Sequence, residues 1–196
     1  MKKLRVAVLY GGRSGEHEVS LQSAASVINY LDRDRFEIVP VAIDKQGRWH
    51  LNDVSLIQGR KSLPVFKDAP RIVLPPDSAA TSALIPLGGS GQAKSIDVVF
   101  PVIHGPLCED GTIQGLLELA DVPYVGCGVL ASAVAMDKEV AKRLARDAEL
   151  PIVSYVSLRQ EHWRKEKRQV AEQVEKDLGY PVFVKPANLG SSVGVQ

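Results

Sequence analysis

The sequence predicts an α/β protein built on an open parallel sheet with helices on both faces. Three observations carry that expectation. Short runs such as "LRVAVLY" and "SIDVVFPVIHG" are apolar at nearly every position, as strands covered on both faces must be. Helical spacings alternate with those runs, the β-α-β pattern of a parallel sheet. The strands run into Gly-containing loops, and in such sheets ligands collect at the carboxyl ends of the strands.

The elements follow in order. "LRVAVLY" is the first strand and ends in Gly11-Gly12. Ala24, Val27, Ile28 and Leu31 then fall at i, i+3, i+4 and i+7, the stripe of an amphipathic helix. "FEIVPVAID" is a second strand, and "DKQGRWHL" a turn centred on Gly47 leading to a short edge segment. Residues 52–95, with Pro64, Pro70, Pro75, Pro76, Pro86 and "GGSGQ", read as a long surface insertion carrying one weak strand, "RIVL". "SIDVVFPVIHG" is a buried strand, "TIQGLLELADV" a helix and "PYVG" a short strand.

The pattern changes near Gly126, which divides the chain into residues 1–126 and 127–196. A short helix breaks at Asp137, a good N-cap, before a helix carrying Val140, Ala141, Leu144, Ala145 and Ala148 on one face. "IVSYVSL" reads as a strand, residues 167–178 as a charged helix and "PVFVKPA" as a strand, followed by the Gly/Ser loop "NLGSSVGVQ". A chain that stops inside a strand–loop–strand unit is expected to be incomplete.

Bulk properties exclude several classes. The 196 residues are 45% hydrophobic and 24% charged with a formal net charge of +1, an ordinary globular composition. Near neutrality gives no global reason to bind nucleic acid or an anionic membrane. No apolar run approaches the roughly 20 residues of a membrane span, and the apolar run after "MKKLR" is too short for a signal peptide. The basic stretch 159–169 is interrupted by Glu161 and Glu166 and reads as a solvated helix face. Cys108 and Cys127 have no metal-ligand spacing and are too few for a disulfide framework, as expected of reduced, buried thiols in a cytosolic protein.

Two loops carry the chemistry. In "GGRSGEHEVS" the glycines suit a phosphate turn, yet Glu16 and Glu18 oppose an anion and favour a cationic guest. In "NLGSSVGV", Gly190 and Gly194 flank Ser191 and Ser192, a loop that is either an anion cradle or a plain hairpin turn. Lys185, at the end of an apolar run, needs an anionic partner if buried or snorkels to the surface. Lys138, just after Asp137, reads locally as a solvated lysine. His104 with Glu109 and Asp110 is an acid–base centre, a metal site or, favoured on these residues alone, a loop brace.

Together "GGRSGEHEVSLQSA", "HGPLCEDGTIQGLLELADVPYVGCGVLASAVAMDK" and "FVKPANLGSSVGV" resemble the D-alanine–D-alanine ligases of the ATP-grasp superfamily, in order and spacing. The resemblance implies a Rossmann-like substrate-binding domain over 1–126, followed at 127–196 by the first part of an ATP-grasp domain. It implies that ATP phosphorylates a first D-alanine to an acylphosphate, which the amine of a second D-alanine attacks, for peptidoglycan precursor synthesis. Glu16 would hold the first ammonium, His104 the first carboxyl end, and Ser191 would join the network around Glu16 and the second substrate. Lys138, Lys185, Ser191 and Ser192 would contact ATP, while Glu18, Val19 and Ser20 orient the loop. Mg2+ or Mn2+ would be held beyond residue 196, with no metal ligand in this chain, and residues 1–196 alone would be inactive. The partners implied are D-alanine and ATP, a cytoplasmic location and a homodimer through the amino-terminal domain. One departure stands out: Cys108 occupies a usual glycine position, and would strain the loop if that glycine needs φ > 0. D-Alanine–D-lactate or D-alanine–D-serine ligation and a non-catalytic nucleotide-binding module are the competing readings.

Overall fold

Strand β1 (Leu4–Gly11) buries two faces at once: Val6, Val8 and Tyr10 on one, Ala7 and Leu9 on the other. Helix α1 (His17–Tyr30) covers the first face with Leu21, Ala24, Ala25 and Ile28. Helix α3 (Thr112–Leu119) covers the second with Ile113 and Leu117. Burying each large aliphatic side chain in these layers contributes about 1.5–3 kcal/mol. The structure, a computed structural model, describes residues 2–76, 82–88 and 91–196. The chain divides into two compact units, Met1–Ala133 and Val134–Gln196.

In the first unit, β1 pairs in parallel with β2 (Phe36–Ile43) on one side and β7 (Val98–Pro101) on the other. The expected α/β sheet with helices on both faces is present, and it is mixed rather than all parallel. Beyond β2 come β3 (Trp49–Leu51), β4 (Arg71–Val73), β5 (Ala83–Pro86) and β6 (Lys94–Ser95), all antiparallel. The order of the described strands is β6-β5-β4-β3-β2-β1-β7.

Residues 52–95 are therefore no surface insertion. With helix α2 (Val54–Ile57) and β4–β6 they widen the sheet, and Ile57, Leu63, Ile72, Leu74 and Leu84 enter its core. β3 is interior rather than an edge, because β4 pairs with it. Strands of two to four residues are too short to show a period of two among prolines. Of "GGSGQ", residues 89 and 90 lie outside the described residues. "PYVG" contributes one bridge, Tyr124 to Val99.

Helix α4 (Val129–Met136) leads to the second unit, where α5 (Lys138–Asp147) begins at the expected cap. The Asp137 carboxylate accepts from the Glu139 and Val140 N–H groups, both at 3.0 Å. Helices α6 (Gln160–Lys165) and α7 (Lys167–Leu178) follow, with Lys165–Glu161, His162–Glu166 and Arg168–Glu172 pairs one turn apart. The strands expected at 152–158 and 181–187 do not form. A strand needs a ladder partner, and among the described residues of this unit only Val184 and Gln196 exchange backbone hydrogen bonds. Phe183 and Val184 consequently stand exposed, as does Lys185, which sits 5.7 Å over the Phe183 ring.

Candidate functional site

β1 is the switch point of the sheet, with parallel neighbours on both sides, so the loops after β1 and β7 open onto one crevice. The first loop turns on Gly11 (φ 91°) and Gly12 (φ 100°). A Cβ on Gly11 would lie 2.2 Å from the Ile43 carbonyl oxygen, and the Gly12 N–H donates to that oxygen at 2.8 Å. Ser20 Oγ accepts from the Gly11 N–H (2.8 Å) and donates to the Val102 carbonyl (2.5 Å). His17 Nδ1 meets the Gly12 carbonyl at 2.7 Å, and Ser14 Oγ donates to the His104 carbonyl at 2.6 Å.

These bonds bring Glu16 and His104 together in the first unit. Glu16 stands at the N-cap of α1, yet its side chain makes no capping bond. It is 9% exposed and faces Gly105, where a Cβ would lie 3.2 Å from Oε1. Among the described residues nothing pairs with its carboxylate. The carboxylate oxygens reach the crevice without a cation beside them, a setting that suits a cationic guest.

The His104 ring meets Ser23 Oγ through Nε2 (3.1 Å) and faces Glu109 Oε1 through Nδ1 (3.6 Å). Glu109 also accepts from the Gly105 N–H at 3.0 Å. Asp110 accepts from the Leu107 (2.8 Å) and Thr112 (3.0 Å) N–H groups. Burial opposes its charge, and those donors still hold it below the usual carboxylate range. Asp110 thus braces the loop. The strain expected at Cys108 is absent, because Leu107 (φ 71°) takes the left-handed turn instead. Burial first, then Asp110, Glu109 and Glu16, push the Cys108 thiol up to about 12, which keeps it un-ionised in an acidic surround. Of the two thiols expected to be buried only Cys108 is; Cys127 is exposed, in the loop before α4. Sequence reasoning missed Ser14 and Ser23, whose only signal is a hydroxyl on the polar side of a loop or helix.

The second unit holds a cleft of about 120 Å³ lined by Lys138, Lys185, Ser191 and Ser192, with no carboxylate on its wall. Ser191 (φ 46°) and Ser192 (φ 59°) are both left-handed, in a turn closed by the Val193 N–H on the Gly190 carbonyl (3.0 Å). Lys138 is not simply solvated: its ammonium donates to the carbonyls of Ala187 and Leu189. All four side chains expected at ATP are therefore together in this unit. Among the described residues no group of His, Cys, Asp and Glu fits a metal ion.

Comparison with known proteins supplies the wider setting. The family model "D-ala D-ala ligase N-terminus" matches residues 5–127, and "D-ala D-ala ligase C-terminus" matches 144–196. D-alanine--D-alanine ligase A of Bradyrhizobium diazoefficiens is 57% identical over 98% of this chain and 52% of its own length. The Escherichia coli K12 D-alanine--D-alanine ligase A is 44% identical over 100% of this chain and 54% of its own. The D-alanine-D-alanine ligase structure from Coxiella burnetii superposes with a TM-score of 0.85 at 34% identity, over 100% of this chain and 54% of that one. The VanG D-Ala:D-Ser ligase of Enterococcus faecalis gives 0.81 at 33%, over 99% and 55%. The chain spans about half the length of these relatives.

Proposed function

The chain belongs to the D-alanine–D-alanine ligase family, and from that membership we propose that the protein carrying it joins two D-alanines at the expense of ATP, for peptidoglycan precursor synthesis. The observation that carries this reading is Glu16, whose carboxylate has no partner among the described residues and opens onto the crevice. Its charge suits the ammonium of the first D-alanine, and His104 lies across the same loops to meet the carboxyl end. The transferable phosphates fit the lysine-lined cleft: Lys138 and Lys185 supply charge, and the Ser191–Ser192 turn supplies amides and hydroxyls. Phosphorylating the carboxylate makes it an acylphosphate, an acyl donor from which phosphate departs when the second amine attacks. These residues bind and orient the reactants; Ser191 is further proposed to touch the second substrate. The family implies Mg2+ or Mn2+, but no described residues form a site that fits the ion, so no step here is routed through it. A cytoplasmic location and a homodimer through the amino-terminal unit complete the proposal; among the described residues no helix is long and apolar enough to cross a membrane.

The test is ADP release with D-alanine and ATP in the whole protein. Glu16→Gln should lower kcat/KM for D-alanine about 100-fold, since losing a buried charge pair costs roughly 3 kcal/mol. Unchanged D-alanine turnover would overturn the assignment. The likeness to VanG favours D-serine as the alternative second amino acid, and the mass of the dipeptide product decides between them.

A further inference from the structure

We propose that Ser23 is a positioning residue that sets the orientation of the His104 ring, a reading that rests on the ligase function above. Ser20 and Ser23 fall three residues apart on one face of α1, just after Glu16 at its N-cap. That face meets the segment after β7, which carries Val102 and His104. Ser20 takes the Val102 carbonyl at 2.5 Å, and Ser23 takes the His104 ring at 3.1 Å. The main chain of His104 is fixed separately, through the Ser14 hydroxyl at 2.6 Å.

A neutral imidazole has one donor nitrogen and one acceptor. The Glu109 carboxylate, 3.6 Å from Nδ1, favours the proton on that nitrogen. Nε2 then accepts from the Ser23 hydroxyl, which has no other partner among the described residues. Nδ1 is left outside hydrogen-bonding distance of Glu109 on a side chain 28% exposed, so its N–H is the one free to meet a substrate carboxylate. Ser23 thereby holds the ring by its far edge while Nδ1 is offered, without touching the substrate.

The experiment uses the whole protein and two readouts. Imidazole 15N spectra, with His104→Gln assigning the signal, should show wild-type His104 protonated on Nδ1 and hydrogen-bonded at Nε2. In Ser23→Ala the hydrogen-bond shift at Nε2 should be lost. KM for the first D-alanine should rise about three- to tenfold, the worth of one neutral hydrogen bond, with KM for ATP unchanged. Ser23→Thr and Ser23→Val are alike in shape and differ in the hydroxyl; Thr should preserve both readouts and Val should lose both. Unchanged His104 spectra or unchanged KM in the Ala and Val variants would overturn the proposal. If the wild-type protein does not ligate D-alanine, the functional reading fails on its own, while the spectra still decide the role of Ser23.

Discussion

Gly11 has no room for a side chain. A Cβ there would stand 2.2 Å from a main-chain oxygen that the Gly12 N–H already binds, and its φ of 91° is strained for any other residue. Gly11→Ala should therefore lower stability by about 2–4 kcal/mol, read from denaturant midpoints, with D-alanine turnover lost alongside. Legibility at this scale follows chemistry type. Glu16 draws attention in the sequence because a carboxylate in a glycine turn contradicts a phosphate site, and the structure puts it on the crevice beside Gly105. Cys108 was not: which residue of "PLCED" turns left-handed is settled by packing, and it is Leu107. Ser23 was hidden too, since its partner lies 81 residues away and a lone serine on a helix has no pattern.

Helices were legible where cap and stripe agree. Asp137 shows how the two combine: its carboxylate holds the first turn of α5, and α5 begins with Lys138, which reaches the carbonyls of Ala187 and Leu189. Asp137→Ala should cost about 1 kcal/mol of stability, seen in thermal melts, and should weaken ATP binding as the lysine loses its platform. Titration with a fluorescent ATP analogue measures the second effect; unchanged affinity would separate the cap from the cleft. Strands were less legible, in both directions. Apolar runs at 152–158 and 181–187 look like strands, but the ladder that makes one is supplied by neighbours, not by the run itself. The opposite failure lies in 52–95, where short strands among prolines are recruited by the exposed side of β3.

The sheet of the first unit is pinned by charge at its parallel centre. Arg5 of β1 donates to Asp97, just before β7, through Nε (2.9 Å), Nη2 (2.7 Å) and the main-chain N–H (2.7 Å). Those donors hold Asp97 far below the usual carboxylate range. Beyond β2, Asp44 is likewise held low by Arg48, His50 and the Gln46 N–H, against the opposing effect of burial. A carboxyl depressed in the folded state stabilises above its unfolded value, near pH 4, and that contribution fades as pH falls toward the folded one. Melting temperature should accordingly stay level from about pH 7 to 5 and drop below about pH 4. Asp97→Asn should start lower at neutral pH and fall less steeply in acid, as thermal melts across that range would show. The α/β class was legible because buried parallel strands leave unbroken apolar runs, whereas the antiparallel half of the sheet left almost none. That half has a consequence for behaviour at high concentration. The described strands end on that side at β6, only two residues long and carrying Lys94 paired to Glu37. So short a margin offers a second copy little to add a strand to, and the stretch that looks most like filler thereby disfavours strand addition on that side.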